Sequence, residues 1–104
     1  MTAQPEWVPH IVLLYYSDEA ARTRIPEVFP AHNAYATKFR IERPGALVMI
    51  GPFAESSERQ AAAMSIFTSL EAAEAFAADD PFVVEGIATE KIFRPWLVSP
   101  DPNV

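Results

Sequence analysis

The 104-residue chain contains two histidines, and only one of them occupies a position that suggests chemistry. His32 is aligned with Val28, Tyr35 and Phe39 at spacings of four, three and four residues, which is the apolar stripe of one helix. Its imidazole should therefore face a sheet rather than bulk water. His10 belongs to no such stripe, and we interpret it as structural or exposed.

The helix that carries His32 is predicted to begin at or near Pro30. Pro26 and Pro30 each suit a first helical turn and would damage a helix interior. His32 would then lie in the first turn or so, where the positive end of the helix dipole opposes protonation. The resulting neutral imidazole could accept a proton near pH 7. A core histidine that donates to a backbone carbonyl remains the alternative.

Two adjacent acids form the second candidate, in the segment Asp79-Asp80-Pro81-Phe82. At the C-terminus of a predicted helix, each acid would oppose the helix dipole at a cost of about 0.3–1 kcal/mol. That unfavourable placement suggests a purpose in function. Asp-Pro is also a common opening of a turn, so the structural interpretation stays open.

Other polar side chains could surround a ligand. Tyr15, Tyr16 and Ser17 close the first predicted strand, where they could line a pocket or simply pack. Three arginines could hold an anionic substrate, because a guanidinium matches the geometry of a carboxylate, or they could be solvated surface. They are Arg22, Arg24 and Arg59.

Several classes of site are disfavoured. The chain has no Gly-x-Ser-x-Gly segment, no glycine-rich phosphate loop and no His-x-x-x-His pair, and nothing in the spacing suggests a metal site. Cysteine is absent, which excludes disulfides, thiolate zinc sites and thiol nucleophiles and fits a reducing compartment.

The rest of the sequence predicts four strands and two helices that position these groups. Strands are predicted at residues 10–16, 46–53, 61–67 and 87–97, and helices within residues 22–41 and 68–79. The second helix should begin with a capping box, Thr68 with Glu71, and bury Leu70, Ala73, Phe76 and Ala77. Residues 1–9 are predicted to form an arm, and residues 98–104 a tail.

The order βαββαβ predicts an α+β fold of ferredoxin-like type, with both helices on one face of a four-stranded antiparallel sheet. Residues 11–16 and 47–50 are apolar on both faces, whereas a sheet with one wet face should alternate apolar and polar residues. A second copy of the sheet is the simplest cover, so we predict a homodimer. The alternative is a small apolar binding surface on a monomer.

Composition narrows the partners and the location. The net charge is −6 and the eight Lys and Arg are scattered, which argues against nucleic acid and against an acidic membrane surface. No run approaches the roughly 20 apolar residues of a membrane span. Residues 1–6 lack the order of a secretory signal. We predict one cytoplasmic domain over residues 1–104.

In this order and spacing, several short segments resemble the YciI-like (YCII-related) family. They are Ala31-His32, Gly45 with the apolar run into Gly51-Pro52, Ser69-Leu70-Glu71-Ala72-Ala73 with Phe76, Asp80-Pro81-Phe82, Gly86, Ile92 and Trp96. The resemblance implies a ferredoxin-like fold that dimerises into an α+β barrel, in agreement with the argument from the strands.

The resemblance also implies a cleft with a His-Asp pair and no cofactor. The pair maps onto His32 and Asp80, with Asp79 as the fallback. Family members often carry an arginine three residues before the histidine and a leucine after it, where this chain has Phe29 and Asn33. If that arginine grips a substrate anion, this protein handles a different ligand or uses another group.

These observations favour a cofactor-free lyase or isomerase that acts on a small cyclic or aromatic molecule, since the family resemblance implies dehydrochlorination of hydroxylated rings. His32 would be the general base and Asp80 its orienting partner. Tyr16, Arg24 and Phe82 are the predicted substrate contacts. The alternatives are a non-catalytic module that binds a small ligand or a partner domain, and a cofactor-independent monooxygenase of the related dimeric barrel type.

Overall fold

The computed structural model describes residues 6–100. Its strands are β1 (Val8–Tyr16), β2 (Leu47–Pro52), β3 (Ala63–Phe67) and β4 (Glu90–Val98), and its helices are α1 (Glu19–Arg22), α2 (Ile25–Glu42), α3 (Leu70–Asp79) and α4 (Pro81–Val84). The strands form one antiparallel sheet in the order β2-β3-β1-β4. The predicted four-stranded antiparallel sheet with helices is confirmed.

The paired strands β1 and β4 extend further at one end than the sequence predicted. Val8 and Pro9 belong to β1 rather than to an arm, because they pair with Val98 and Leu97 of β4. Residues 1–5 and 101–104, the remainder of the predicted arm and most of the tail, lie outside the described residues.

The predicted start of the first long helix was wrong. Helix α2 begins at Ile25 and contains Pro30 in its interior, where the missing N–H leaves the carbonyl of Pro26 without its helical partner. His32 is therefore the eighth residue of α2, about two turns from its start. The helix dipole acts mainly within the first turn, so it does not explain the state of this imidazole.

One face of the sheet packs against α2 and α3. Residues directly opposite each other on neighbouring strands share a face, which places Leu13, Ser65 and Ile50 in one row and Phe67 in the next. Phe76 of α3 lies at the centre of this layer, fully buried, with ring contacts to four other aromatic side chains. This layer holds most of the core and, at one end, the candidate site.

The opposite face of the sheet is also apolar, and no described element covers it. The side chains that share this face by register include Val12, Leu14, Ile66 and Ile92, and Met49 on the neighbouring edge strand is 63% exposed. Apolar patches of this kind on a soluble fold mark interaction surfaces. The lack of alternation between apolar and polar residues in β1 therefore corresponds to a sheet with two apolar faces.

Helix α3 is capped by Ser69, not by Thr68 as the sequence predicted. The Ser69 hydroxyl accepts a hydrogen bond from the backbone N–H of Ala72 at 3.1 Å. Leu70 was assigned to the buried stripe, yet as the first residue of the helix it is 47% exposed. The other three stripe residues, Ala73, Phe76 and Ala77, are buried as predicted.

The assignment of the cap to Ser69 can be tested by comparing two variants. We expect Ser69→Ala to lower the free energy of unfolding by about 1 kcal/mol, because one N–H at the start of α3 loses its acceptor. Thr68→Ala should cost less, since no hydrogen bond of its hydroxyl supports the helix. Urea denaturation of both variants checks this, and an equal loss in both would show that the cap is shared.

Candidate active site

A carboxylate without solvent exposure is the most unusual feature of the core. Asp80 is 0% exposed, and three donors converge on it. His32 Nδ1 lies 2.8 Å from Oδ1, the N–H of Phe82 donates to the same oxygen at 3.1 Å, and the Tyr15 hydroxyl donates to Oδ2 at 2.8 Å. Buried carboxylates are tolerated when their lone pairs are satisfied in this way.

Local backbone structure aims this carboxylate. Asp80 ends α3, where its N–H donates to the carbonyl of Phe76, and it also precedes α4 as that helix's N-cap. Pro81 forces the preceding residue out of helical geometry, which explains the extended backbone at Asp80 (φ −61°, ψ 126°). One residue thus joins two helices and turns its side chain inward.

The orientation of the His32 ring follows from its partner. A carboxylate oxygen only accepts, so Nδ1 carries the hydrogen and donates it to Asp80. In the neutral form of the ring Nε2 then carries the lone pair, and Nε2 makes no hydrogen bond within the part of the chain that the structure describes. Phe82 stacks on the imidazole at 4.0 Å between ring centroids, and Phe76 contacts it edge-on at 6.3 Å. The ring is held on every side except towards the pocket that it lines.

Tyr15 completes a His-Asp-Tyr cluster that the sequence did not predict. Burial raises the pKa of its hydroxyl far above the ordinary value, and the charge of Asp80 and the hydrogen bond to Asp80 add to the shift. It therefore remains a donor at any physiological pH. Alternation with Leu13 already placed Tyr15 on the buried face of β1, which is the signal that could have found it.

His32, Tyr15 and Phe82 line a pocket of about 230 Å³ between α2, the sheet and the segment that leads into β4. No Lys, Arg, Asp or Glu side chain contributes to its lining among residues 6–100. The walls are mostly aliphatic or aromatic. The remaining polar side chains on the lining are those of Ser17, Asn33 and Ser65.

The structure brings together three of the five predicted site residues. His32, Asp80 and Phe82 are in direct contact. Asp79, the fallback for Asp80, is exposed and contributes to a separate shallow groove, so it does not contact His32.

Tyr16 and Arg24, the other two predicted substrate contacts, do not line this pocket. Tyr16 is placed by strand alternation on the opposite face of β1 from Tyr15. Arg24 instead donates to the carbonyl of Glu85 at 3.0 Å and lies within 4.0 Å of the carboxylates of Glu27 and Glu85. The two other candidate arginines, Arg22 and Arg59, also lie outside the lining.

Two absences among residues 6–100 bear on the type of site. No group of three or more His, Asp or Glu side chains is placed to hold a metal ion. None of the helices in this range has the length and apolarity needed to cross a bilayer.

Ionisation of two tyrosines should make the stability of the protein depend on pH in the alkaline range. Burial, then the charges of Asp79 and Asp80, raise the pKa of Tyr35 from 10.0 to about 12, and the pKa of Tyr15 is raised further. A raised pKa means that the stability contributed by each neutral hydroxyl is present below pH 10 and is lost as the pH rises towards 12 and beyond. We expect the free energy of unfolding to fall over this interval.

Urea denaturation at pH 9, 10 and 11 measures the effect. Tyr35→Phe cannot ionise, so its stability should decline less steeply with pH than that of the native protein. Tyr35 also donates to the carbonyl of Phe76 at 2.9 Å, so this variant should be less stable at pH 9. Parallel pH profiles for the two proteins would contradict the assignment.

The fold and the site together define a small α+β protein with a buried His-Asp-Tyr cluster beside an apolar pocket. The model of the YCII-related domain matches residues 9–97, and the chain belongs to this family, as its sequence resemblance indicated. No curated protein sequence matches the chain.

Two solved structures show the same fold at low sequence identity. The 5-chloro-2-hydroxyhydroquinone dehydrochlorinase of Burkholderia phenoliruptrix, in complex with 2,5-dihydroxybenzoquinone, is 18% identical at a TM-score of 0.59, over 85% of this chain and 92% of that one. A mutant of SnoaB, a cofactor-independent oxygenase from Streptomyces nogalater, is 15% identical at a TM-score of 0.51, over 92% and 97%. The fold is thus similar to that of dimeric α+β barrel proteins.

Proposed function

We propose that this protein is a small acid–base enzyme, a lyase or isomerase, that needs no cofactor and acts on a small cyclic or aromatic molecule. One observation carries the proposal. His32 donates from Nδ1 to the fully buried Asp80 carboxylate at 2.8 Å and leaves Nε2 unbonded beside a pocket. A histidine oriented in this way by a carboxylate is the arrangement of a general base.

In the proposed reaction, His32 Nε2 removes a proton from a ring carbon or ring hydroxyl of the substrate. The electron pair left behind moves to a neighbouring ring atom that is then reprotonated, as in an isomerase, or it expels a leaving group as its anion, as in a lyase. The imidazolium is stabilised by Asp80 while it holds the proton. It then returns the proton to the product or gives it to water.

Tyr15 supports the same step without touching the substrate proton. Its hydroxyl donates a hydrogen bond to Oδ2 of Asp80, and this bond keeps the carboxylate from rotating away from His32. The stacked ring of Phe82 also keeps the imidazole in plane and faces the charge that develops on it. A positioned base of this kind contributes about 10²–10⁴-fold to the rate, and orientation in a dry pocket supplies more.

The test is a panel of hydroxylated and chlorinated six-membered rings that includes 5-chloro-2-hydroxyhydroquinone, the compound in the name of the neighbouring dehydrochlorinase. Chloride release, ultraviolet absorbance and oxygen consumption are followed together. We expect at least one compound to turn over without oxygen uptake. His32→Asn should slow that turnover about 10²–10⁴-fold.

His10→Asn is the matched control, because His10 is the other histidine and bonds only locally, to the carbonyl of Val8. Its turnover should be unchanged. Equal rates for native protein and His32→Asn would end the proposal. Oxygen uptake in step with turnover would indicate the monooxygenase alternative, and binding without any turnover would indicate the non-catalytic module.

We further propose that the protein works as a cytoplasmic homodimer, of ferredoxin-like barrel form, that pairs the uncovered sheet faces. The apolar side chains of that face that are exposed in a single copy, among them Met49 and Trp96, support this. Sedimentation should then give twice the 11.5 kDa chain mass. Leu14→Glu should give a monomer and Arg59→Glu, in a distant loop, should not; a native monomer would refute the dimer.

A further inference from the structure

Ser65 differs from every other polar side chain on the pocket wall. It lies in the central strand β3, opposite Leu13 on one side and Ile50 on the other, in a row that is otherwise apolar. The residue is 3% exposed and lines the pocket. Its hydroxyl has no hydrogen-bond partner among residues 6–100, and a buried hydroxyl without a partner is unfavourable.

That hydroxyl is nevertheless not sealed inside the protein. Over the described part of the chain, the enclosed side-chain atoms without a partner are Nε and Nη2 of Arg22, and Ser65 Oγ is not among them. Since strands and core surround Ser65 on its other sides, the accessible surface of Oγ faces the pocket. The pocket therefore contains an unused hydroxyl that can donate one hydrogen bond and accept others.

The serine at the other end of the wall behaves differently. Ser17 is equally buried and lines the same pocket, but its hydroxyl donates to the carbonyl of Ile87 at 2.7 Å. The unused hydrogen-bonding groups on the lining are thus Ser65 Oγ, His32 Nε2 and the side-chain amide of Asn33. None of the other lining residues is a Lys, Arg, Asp or Glu.

The size of the pocket limits the ligand as well. A dry cavity of about 150 Å³ accommodates benzene, whereas pockets for drug-sized molecules begin near about 300 Å³. At about 230 Å³, this pocket suits one substituted six-membered ring. A carboxylate or phosphate on the ring would find no cation in the lining to offset its desolvation.

We propose that Ser65 is a specificity-determining residue that binds an oxygen atom of an uncharged, single-ring substrate. This inference rests on the proposed function in placing the substrate beside His32. The oxygen is a hydroxyl or carbonyl attached to the ring, and Ser65 Oγ selects rings that carry it over rings of the same shape that do not.

The experiment measures binding rather than turnover, by nuclear magnetic resonance titration of the protein with three probes. Hydroquinone carries two ring hydroxyls, p-xylene replaces them by methyl groups of similar size, and benzoate carries a negative charge. We expect native protein to bind hydroquinone more tightly than both p-xylene and benzoate. Ser65→Ala should weaken hydroquinone binding by about 10-fold or more and leave p-xylene within about 2-fold.

Two further variants make the result interpretable. Ser17→Ala removes a hydroxyl from the same wall that is already bonded, so it should leave the ratio of the two affinities unchanged even if it lowers stability. Ser65→Cys keeps the volume but offers only a weak donor, so it should lose the preference for hydroquinone while remaining folded. A merely structural serine would not move this ratio.

Several outcomes would overturn the inference. These are an unchanged affinity ratio in both Ser65 variants, tighter binding of benzoate than of hydroquinone, and no binding of hydroquinone by the native protein. The proposed function is tested separately, by comparing turnover in the native protein and in His32→Asn. If the native protein shows a preference that depends on Ser65 but no turnover, Ser65 determines the specificity of a binding protein rather than of an enzyme.

Discussion

Replacing Asp80 by asparagine should cost both activity and stability. The asparagine amide offers one oxygen where the carboxylate offers two. That oxygen can still accept from His32 and the N–H of Phe82, which share Oδ1, but the NH₂ group then replaces Oδ2 and the Tyr15 hydroxyl loses its acceptor. Leaving one of these buried groups unpaired should lower the free energy of unfolding by about 1–3 kcal/mol.

The same substitution should weaken the base. A neutral amide does not stabilise, as a carboxylate does, the imidazolium that forms when Nε2 takes the substrate proton. In any turnover found for the native protein, we expect a loss within the roughly 10²–10⁴-fold that a positioned base contributes.

Asp79→Asn is the matched control for Asp80→Asn. The two residues are adjacent, but Asp79 is exposed and lies outside the pocket lining. Urea denaturation measures the stability of both variants, and initial rates measure any turnover. An Asp80→Asn protein as stable and as active as the native protein would contradict our assignment, as would comparable losses in Asp79→Asn.

Phe76→Ala should be the most damaging single truncation in the core. Phe76 is 0% exposed and contacts the rings of His32, Tyr35, Phe39 and Phe67. Removing a buried phenyl ring typically costs about 3–5 kcal/mol, because the neighbours relax only partly into the cavity. That is a large share of the roughly 5–15 kcal/mol that stabilises most domains.

Leu70→Ala tests whether the loss is specific to burial. Leu70 belongs to the same helix and to the same predicted stripe, but it is 47% exposed. Its truncation should stay within about 0.5 kcal/mol, as for most surface substitutions. Thermal and urea denaturation of the two variants measure the difference, and similar losses would place Leu70 in the core after all.

His32 and Asp80 could each be singled out because each breaks a local rule, and the family resemblance implied that they form a pair. His32 is a polar ring on an apolar stripe, and Asp80 is an acid at a helix C-terminus. Tyr15 breaks no rule, since a tyrosine near the end of a strand is ordinary. Its role depends on the contact between β1 and a residue 65 positions away, which periodicity does not reveal.

The errors have a common physical origin in tertiary structure that overrides local preference. Pro30 suits a first helical turn, yet packing of the residues around it sustains a helix that begins at Ile25. Arg24 was selected for its charge, but neighbouring carboxylates and a carbonyl satisfy it. The four-stranded antiparallel sheet was recovered, because runs of β-branched and aromatic residues bounded by turn residues are encoded locally.

The junction at Asp80 has a consequence for the speed of ligand binding. Its side chain is oriented by the ends of two helices, so the rotational entropy of the carboxylate and of the His32 ring is lost when the chain folds, not when a ligand arrives. The site should exist in the same form with and without a ligand. Association is then expected to be a single step, with an observed rate constant that rises linearly with ligand concentration in stopped-flow mixing.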